Sequence, residues 1–454
     1  MPDAATSQMD PASVMRSRRF VALLVLAAFV GVIASLAAWG FLELIYQMQQ
    51  WVFHELPQDV GYDTAPVWWS LPILAIAGVV AAFAIQRLPG RGGHIPAEGL
   101  NAAPTHPIEL PGVILAGIAS IGLGLVVGPE APLLAVGGGL GLLTVRLIRR
   151  DAPPEMGALL AAAGTIAGIS FLFGSPLIGA VIVIEAAGLG GPRLPLVLIP
   201  GLLAAGIGSL VSIGMGSWTG LSTSNISLGT LPLPAFDRPD LVDFAWTIPL
   251  AIAVAVITFG IFVLGRQTVR VARPHPYLLL PAIGVAVSGL AIAFHAASGR
   301  SVNEVLFSGQ DAIPGLVASA STWSLSALAL LIAFKGLAYG LSVGGFRGGP
   351  TFPAMFLGAA AGLMAAQLPG FEVTPAVAVG LGAAVVAVLR LPLAAVVLAT
   401  LFTSKAGLGV GPLIIVGVAV AYLTALALSP LEPSEGGDDG EQADAPAQPA
   451  QSTA

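Results

Sequence analysis

Gly128-Pro129-Glu130-Ala131-Pro132 and Gly349-Pro350-Thr351-Phe352-Pro353 decide how this chain reads. Each opens an apolar run, and the match continues at constant offset, with Gly137 and Gly141 in the first run answering to Gly358 and Gly362 in the second. Downstream, Gly164 with Pro176-Leu177 answers to Gly380 with Pro392-Leu393. Two Gly-Pro-x-x-Pro matches alone mean little in a chain with 57 glycines and 36 prolines. Two ordered blocks in register point instead to two homologous halves meeting at a central site.

A helix opening at Pro132 or Pro353 fits the preference for proline in the first helical turn. Residues 133–148 would span roughly 24 Å against a hydrocarbon core of about 30 Å, so their start is expected inside the membrane. Irregular backbone at that depth survives only where protein or water shields it, as in transporters and channels with broken helices. The free N–H groups and positive dipole end of such a half-helix can replace the water around an anion without a buried base. Bases are scarce in the apolar stretches, Lys335 being the main one noted, which disfavours a pore that selects by a ring of cations.

The composition sets the solvent. Of 454 residues 56 % are hydrophobic and only 9 % charged, with a mean hydropathy of +0.91. A soluble domain carries about a quarter charged residues, so most of this surface must face lipid, and soluble-enzyme classes are disfavoured. The absence of cysteine excludes disulfides and thiolate metal sites; no cofactor, metal or nucleic-acid partner is expected. The net charge of −6 resides in residues 431–454, which hold six acids and no base, while the other 430 residues balance at 18 and 18. That tail is rich in Pro, Gly, Ala and Gln, and disorder is expected for it.

The organisation follows from charge and hydropathy. A polar tail, 1–19, ends in Met15-Arg16-Ser17-Arg18-Arg19. The apolar run 20–46 is nearly twice the length of a signal-peptide core, so it reads as a retained membrane helix. The next loop carries Glu55, Asp59 and Asp63 without a base, and the run 67–86 returns to Arg87 and Arg91. The positive-inside rule then puts both termini in the cytoplasm of a multi-pass cell-membrane protein. The membrane domain is expected over 20–430, with a first half over about 67–215 and a second over about 245–425.

Glu130 is the leading candidate for function. A carboxylate between Gly-Pro and Ala-Pro at the mouth of a half-helix is costly in lipid unless it serves a pathway. It can occupy the place an anion would take and act as a gate. Glu185, ending an apolar run, reads either as a polar relay or as a structural group bonded to neighbouring backbone. His94 reads as a pH sensor beside the anion path or as a solvated vestibule residue.

These residues resemble the CLC family of chloride channels and proton/chloride exchangers, in its bacterial type without CBS domains, over about residues 67–425. Family members carry three anion-site segments at half-helix N-termini, commonly G-S-G-I-P, G-[KR]-E-G-P and G-x-F-x-P. Here they answer to Gly92-Gly93-His94-Ile95-Pro96, Gly128-Pro129-Glu130-Ala131-Pro132 and Gly349-Pro350-Thr351-Phe352-Pro353. Phe173-Gly174-Ser175-Pro176-Leu177-Ile178-Gly179 and Leu306-Phe307-Ser308-Gly309 also fit. The resemblance implies an all-α polytopic membrane protein with antiparallel halves, broken half-helices and about eighteen helices in all. It also implies a homodimer with one pore per subunit, and Glu130 as the gate.

The departures from the family pattern bear on mechanism. Gly93 stands where many relatives carry an anion-coordinating serine, and Thr351 stands where phenylalanine is usual. Ala186 stands where exchangers often carry a second glutamate, and the last tyrosine is Tyr422. The reading is transport of chloride or a similar anion, channel-like or weakly proton-coupled. Its alternatives are a proton/chloride antiporter and a variant selective for fluoride or nitrate. From another class comes an intramembrane hydrolase built on Gly340-Leu341-Ser342-Val343-Gly344, although G-x-S-x-G needs a strand-to-helix turn and partners absent nearby.

Overall fold

A computed structural model describes residues 13, 15–99, 105–148, 153–188, 190–191, 194–219 and 229–431. Most of the N-terminal tail, and the acidic tail beyond 431, lie outside the described residues. The first seven helices are α1 (Arg18–Gln50), α2 (Ser70–Arg87), α3 (Leu110–Gly117), α4 (Glu130–Ile148), α5 (Pro154–Phe173), α6 (Pro176–Ala186) and α7 (Leu194–Thr219). Eight more follow: α8 (Leu241–Ala272), α9 (Pro276–Ser298), α10 (Ala312–Ala318), α11 (Leu325–Gly345), α12 (Thr351–Ala365), α13 (Val373–Leu389), α14 (Pro392–Phe402) and α15 (Gly411–Leu428). Short 3-10 and π turns, and the four-residue helix Leu56–Asp59 after α1, join several of them; these fifteen described helices of uneven length stand against the about eighteen that the resemblance implies. Among the described residues, nine helical spans are long and apolar enough to cross a bilayer.

Small residues explain why helices of so little amphipathic character pack so closely. In α4 and α5, a Cβ added at Gly137 would collide with the Gly164 carbonyl, and one at Gly164 with the Gly137 carbonyl. The second half repeats this between α12 and α13, where Gly358 and Gly380 stand in the same mutual relation. Gly141 against Leu160 and Gly362 against Ala376 extend the seams. Such contacts let backbones approach to dispersion distance, which replaces hydrophobic driving force where the solvent is lipid.

The breaks repeat as well. α5 ends on Gly174 in the left-handed conformation and α13 ends likewise on Arg390 (φ 57°); a residue outside the helical region, then proline, starts α6 and α14. Arg390 adopts a backbone that favours glycine, and its Nη1 is tied to the Ser429 hydroxyl at 3.0 Å. The long helices repeat too, since α1 packs on α5 and α7 as α8 packs on α13 and α15. Between halves, α2 and α9 meet closely: Gly78 lies against the Leu280–Pro281 backbone and Gly284 against Leu74. The Ser70 and Ser288 hydroxyls are 2.6 Å apart across this contact.

Two local expectations change. α4 and α12 begin at Glu130 and Thr351, two residues before the expected prolines. With its extra turn α4 has 19 residues and counts among the spans long enough to cross, whereas α12, at 15 residues, covers only about 22 Å. The segment at Pro96 does not open an α-helix: Pro96–Glu98 is a single 3-10 turn, closed by Gly99 at φ 94°. A left-handed glycine three residues after the proline stops propagation there.

Gly164→Val and Gly380→Val should each destabilise the protein by roughly 1–3 kcal/mol through overpacking, read as a lower midpoint of thermal unfolding in detergent. Gly206→Ala, whose added Cβ meets nothing within 4 Å, should leave the midpoint unchanged.

Candidate functional site

At the centre, the two quoted motifs meet through their backbones. Gly128 N–H donates to the Gly349 carbonyl at 2.7 Å, and Gly349 N–H donates back to Gly128 at 2.5 Å. This antiparallel bridge is an isolated pair outside any strand. A Cβ on either glycine would strike the Glu130 carboxylate, so the two glycines form a cradle that a side chain would fill.

Glu130 is 2 % exposed. Its backbone opens α4, but its carboxylate belongs to the other half: Oε1 accepts the Phe352 N–H at 2.8 Å in the first turn of α12. Oε2 meets no donor at hydrogen-bond geometry, with Thr351 standing alongside. The carboxylate therefore occupies the kind of position an anion takes at a helix N-terminus. Tyr339 on α11, fully buried, donates its hydroxyl to the Pro350 carbonyl at 2.5 Å and so holds the turn that presents those N–H groups. Phe352 is buried and stacks on Phe173 with ring centroids 5.3 Å apart, and Phe173 in turn lies 6.3 Å from Phe402.

A cavity lies on each side of Glu130. One, of about 290 Å³, reaches Pro129 and is walled by Tyr46, His54, Ser308 and Asp311 among others. Its loop is fixed by Lys335, wholly buried, whose Nζ donates to the carbonyls of Glu304, Val305, Leu306 and Phe307 at 3.0–3.2 Å. Asp311 is open to cavity water but enclosed by protein, and desolvation pushes its carboxyl up to about 6. The other cavity, of about 210 Å³, is lined by Gly92, Gly93, His94, Ala131, Pro132 and Arg347. The structure thus brings the Gly92–His94 segment to the Glu130 motif, while the third segment supplies the N–H that holds the carboxylate.

His94 is half-buried, with Nε2 3.0 Å from the Gly99 carbonyl. Burial lowers its imidazole below the usual value, and the Arg347 charge adds to this against the opposing effects of Glu98 and Gly99. Ile95 and Pro96 sit behind, Pro96 buried in its 3-10 turn. Glu185 is distant in role. Its two oxygens accept the Leu393 and Ala394 N–H groups at 2.9 and 2.7 Å, capping α14 of the opposite half. Ser342 lies within helix α11, wholly buried, donating to the Ala338 carbonyl and accepting the Val126 N–H. That is a structural tie between halves rather than an exposed nucleophile on a strand-to-helix turn.

Two residues escaped the sequence reading. Tyr339 stood on an apolar helix with nothing to mark its reach to Pro350. Arg347 is 7 % exposed, and its signal was a base two residues ahead of Gly349-Pro350 where bases are otherwise rare.

The family model described as voltage gated chloride channel matches residues 98–426. Among curated relatives, a protein of Salmonella typhimurium provisionally named as the ion-transport protein YfeO is 29 % identical over 354 residues, covering 77 % of this chain and 81 % of its own. Its counterpart in Salmonella schwarzengrund is 30 % identical over 355 residues with the same coverage. Among solved structures, a slow cyanobacterial Cl−/H+ antiporter aligns with a TM-score of 0.72 at 23 % identity, covering 89 % of this chain and 94 % of that one. A CLC-type fluoride/proton antiporter aligns at 0.67 and 18 % identity, covering 91 % and 98 %. These two likenesses are of fold.

Glu185→Ala leaves two N–H groups of α14 without their acceptor and should cost about 1–2 kcal/mol of stability. Thermal unfolding would show this as a lower midpoint, with Glu185→Gln intermediate because one acceptor oxygen remains.

Proposed function

The chain belongs to the voltage gated chloride channel family of polytopic membrane anion transporters and channels, and on that premise we propose that it conducts chloride or a similar small anion through a path gated by Glu130. The observation that carries this reading is the Glu130 carboxylate seated on the Phe352 N–H, between one cavity lined by Pro129 and another lined by Ala131. An anion arriving from either side needs the Phe352 N–H that the carboxylate holds. Displacing the carboxylate, or protonating it, frees that donor. Gly92–Pro96, Gly128–Ala131 and Gly349–Pro353 then form the anion-binding wall, with N–H groups supplying the attraction that water supplies in bulk.

A channel-like or weakly proton-coupled mechanism is favoured. Ala186 has no titratable group, and both oxygens of the neighbouring Glu185 are engaged as a helix cap, which leaves no free carboxylate there to relay a proton. The second reading, a proton/anion antiporter, draws on the two solved antiporters whose fold this chain shares. Orientation follows the arginines: the cavity lined by Gly92, His94 and Arg347, next to Arg87 and Arg91 in the chain, faces the cytoplasm, the His54 cavity faces outward, and both termini are cytoplasmic in the cell membrane. A homodimer with one path per subunit fits the exposed apolar residues Leu177, Leu210, Ile213, Leu393, Leu423 and Leu426 on α6, α7, α14 and α15.

Liposomes holding purified protein, with anion efflux and proton uptake recorded together, test the reading. Wild type should release anion with little proton movement against a gradient, and Glu130→Gln should lose gating. Gly349→Ala should behave alike, because its Cβ displaces the carboxylate from its cradle. Uphill proton movement driven by a chloride gradient would establish the antiporter instead; no flux of chloride, nitrate or fluoride would remove the transport reading.

The outer cavity also predicts a pH response. As pH falls through about 6, Asp311 loses its negative charge, and repulsion of entering anions falls with it. In the Glu130→Gln background, which removes the gate's own titration, influx from the outer side should rise between pH 7 and 5. Adding Asp311→Asn should flatten that rise at the high, acid-like level.

A further inference from the structure

We propose that Arg347 is an anion-binding residue of the inner cavity, and that it favours a small planar oxyanion of the nitrate type over a halide. This deepens the transport reading and rests on it. Arg347 lies in the bend between α11 and α12, just before the Gly348-Gly349 step. Its backbone is fixed by its N–H donating to the Ser120 hydroxyl at 3.2 Å. The side chain is buried, yet its bonds are to neutral carbonyls and are long: Nε to Arg91 at 3.4 Å and Nη1 to Phe346 at 3.3 Å. Among the described residues Nη2 has no hydrogen bond and the side chain has no carboxylate within salt-bridge distance.

A buried guanidinium without a paired carboxylate is costly, and two weak carbonyl contacts do not offset the loss of hydration. What the guanidinium faces is the cavity of about 210 Å³. Space there is kept by glycine: a Cβ on Gly92 would come within 3.3 Å of the Arg347 Cγ, and Gly93 has no side chain to project. The opposite wall includes Ala131 and Pro132 in the first turn of α4, the positive end of that helix. A fixed cation and a helix N-terminus thus face one small cavity beside the gate. The charged and titratable groups around it are few. Glu109 lines the cavity but spends Oε2 on the His106 N–H at 3.1 Å. Glu98 acts through its field on Arg347 and His94, and burial still favours the neutral His94 imidazole.

Selectivity follows from shape. The terminal nitrogens of a guanidinium form a planar fork that pairs two N–H groups with two oxygens of one oxyanion. A halide engages the fork only as a point charge. Lysine keeps the charge and loses the fork.

Nitrate and chloride efflux from liposomes under matched gradients, together with calorimetric titration of each anion into detergent-solubilised protein, tests this for wild type, Arg347→Gln and Arg347→Lys. Arg347→Gln should lower the nitrate-to-chloride flux ratio about tenfold, equivalent to one good charge-assisted bond, and lose the heat of nitrate binding. Arg347→Lys should lower the ratio several-fold. An unchanged ratio together with unchanged nitrate affinity in Arg347→Gln would overturn the proposal. If that variant is not monodisperse, an unchanged ratio in Arg347→Lys overturns it equally. Should wild type carry neither anion, the transport reading fails by itself, and nitrate affinity in wild type against Arg347→Lys still decides the site: loss supports it and no change overturns it.

Discussion

The structure depends on two glycine residues whose backbones touch at the midpoint of the protein. Gly128 and Gly349 exchange a pair of N–H to carbonyl bonds, and any side chain on either would displace Glu130. Elsewhere in a membrane interior an isolated bridge outside a helix would leave its neighbours' polar groups unsatisfied. Here the flanking groups are absorbed by helix starts, by the Tyr339 hydroxyl on Pro350 and by Glu130 itself. The halves meet here through backbone bonds, at glycines that leave room for the Glu130 carboxylate.

Carboxylates of the first half reach across to helix starts of the second, and they do so twice. Glu130 holds α12 and Glu185 holds α14. The two differ in consequence because of surroundings. Glu185 uses both oxygens and sits half-buried, so it behaves as a cap. Glu130 commits one oxygen, leaves the other without a donor and lies between two cavities.

Much of this was legible in the sequence, since it lay in glycines and prolines at fixed offsets. The repeat matches Gly137 to Gly358 and Gly164 to Gly380, and the structure adds that within each half the two glycines touch. Glu130 stood out because charge is rare in an apolar chain. What could not be read was where side chains reach. Nothing in the order of residues says that Glu130 caps the other half's helix, that Glu185 caps α14, or that Arg347 turns into a cavity beside Gly92 and Gly93. These are contacts between segments hundreds of positions apart. The turn at Pro96 was misjudged for a different reason, because Gly99 closes it after one 3-10 turn and local glycine chemistry outranked the pattern of the other two motifs.

The correspondence between the halves has one flaw at its centre: the position answering to Glu130 in the second motif is Thr351. A carboxylate at both would set two like charges across the glycine bridge, each competing for the other half's N–H groups, in surroundings too dry to screen them. A neutral hydroxyl at one position leaves a single carboxylate on an otherwise two-fold frame. The two halves are therefore inequivalent at the glycine bridge even though the scaffold around them repeats, and the charge asymmetry of the centre comes down to one diverged position.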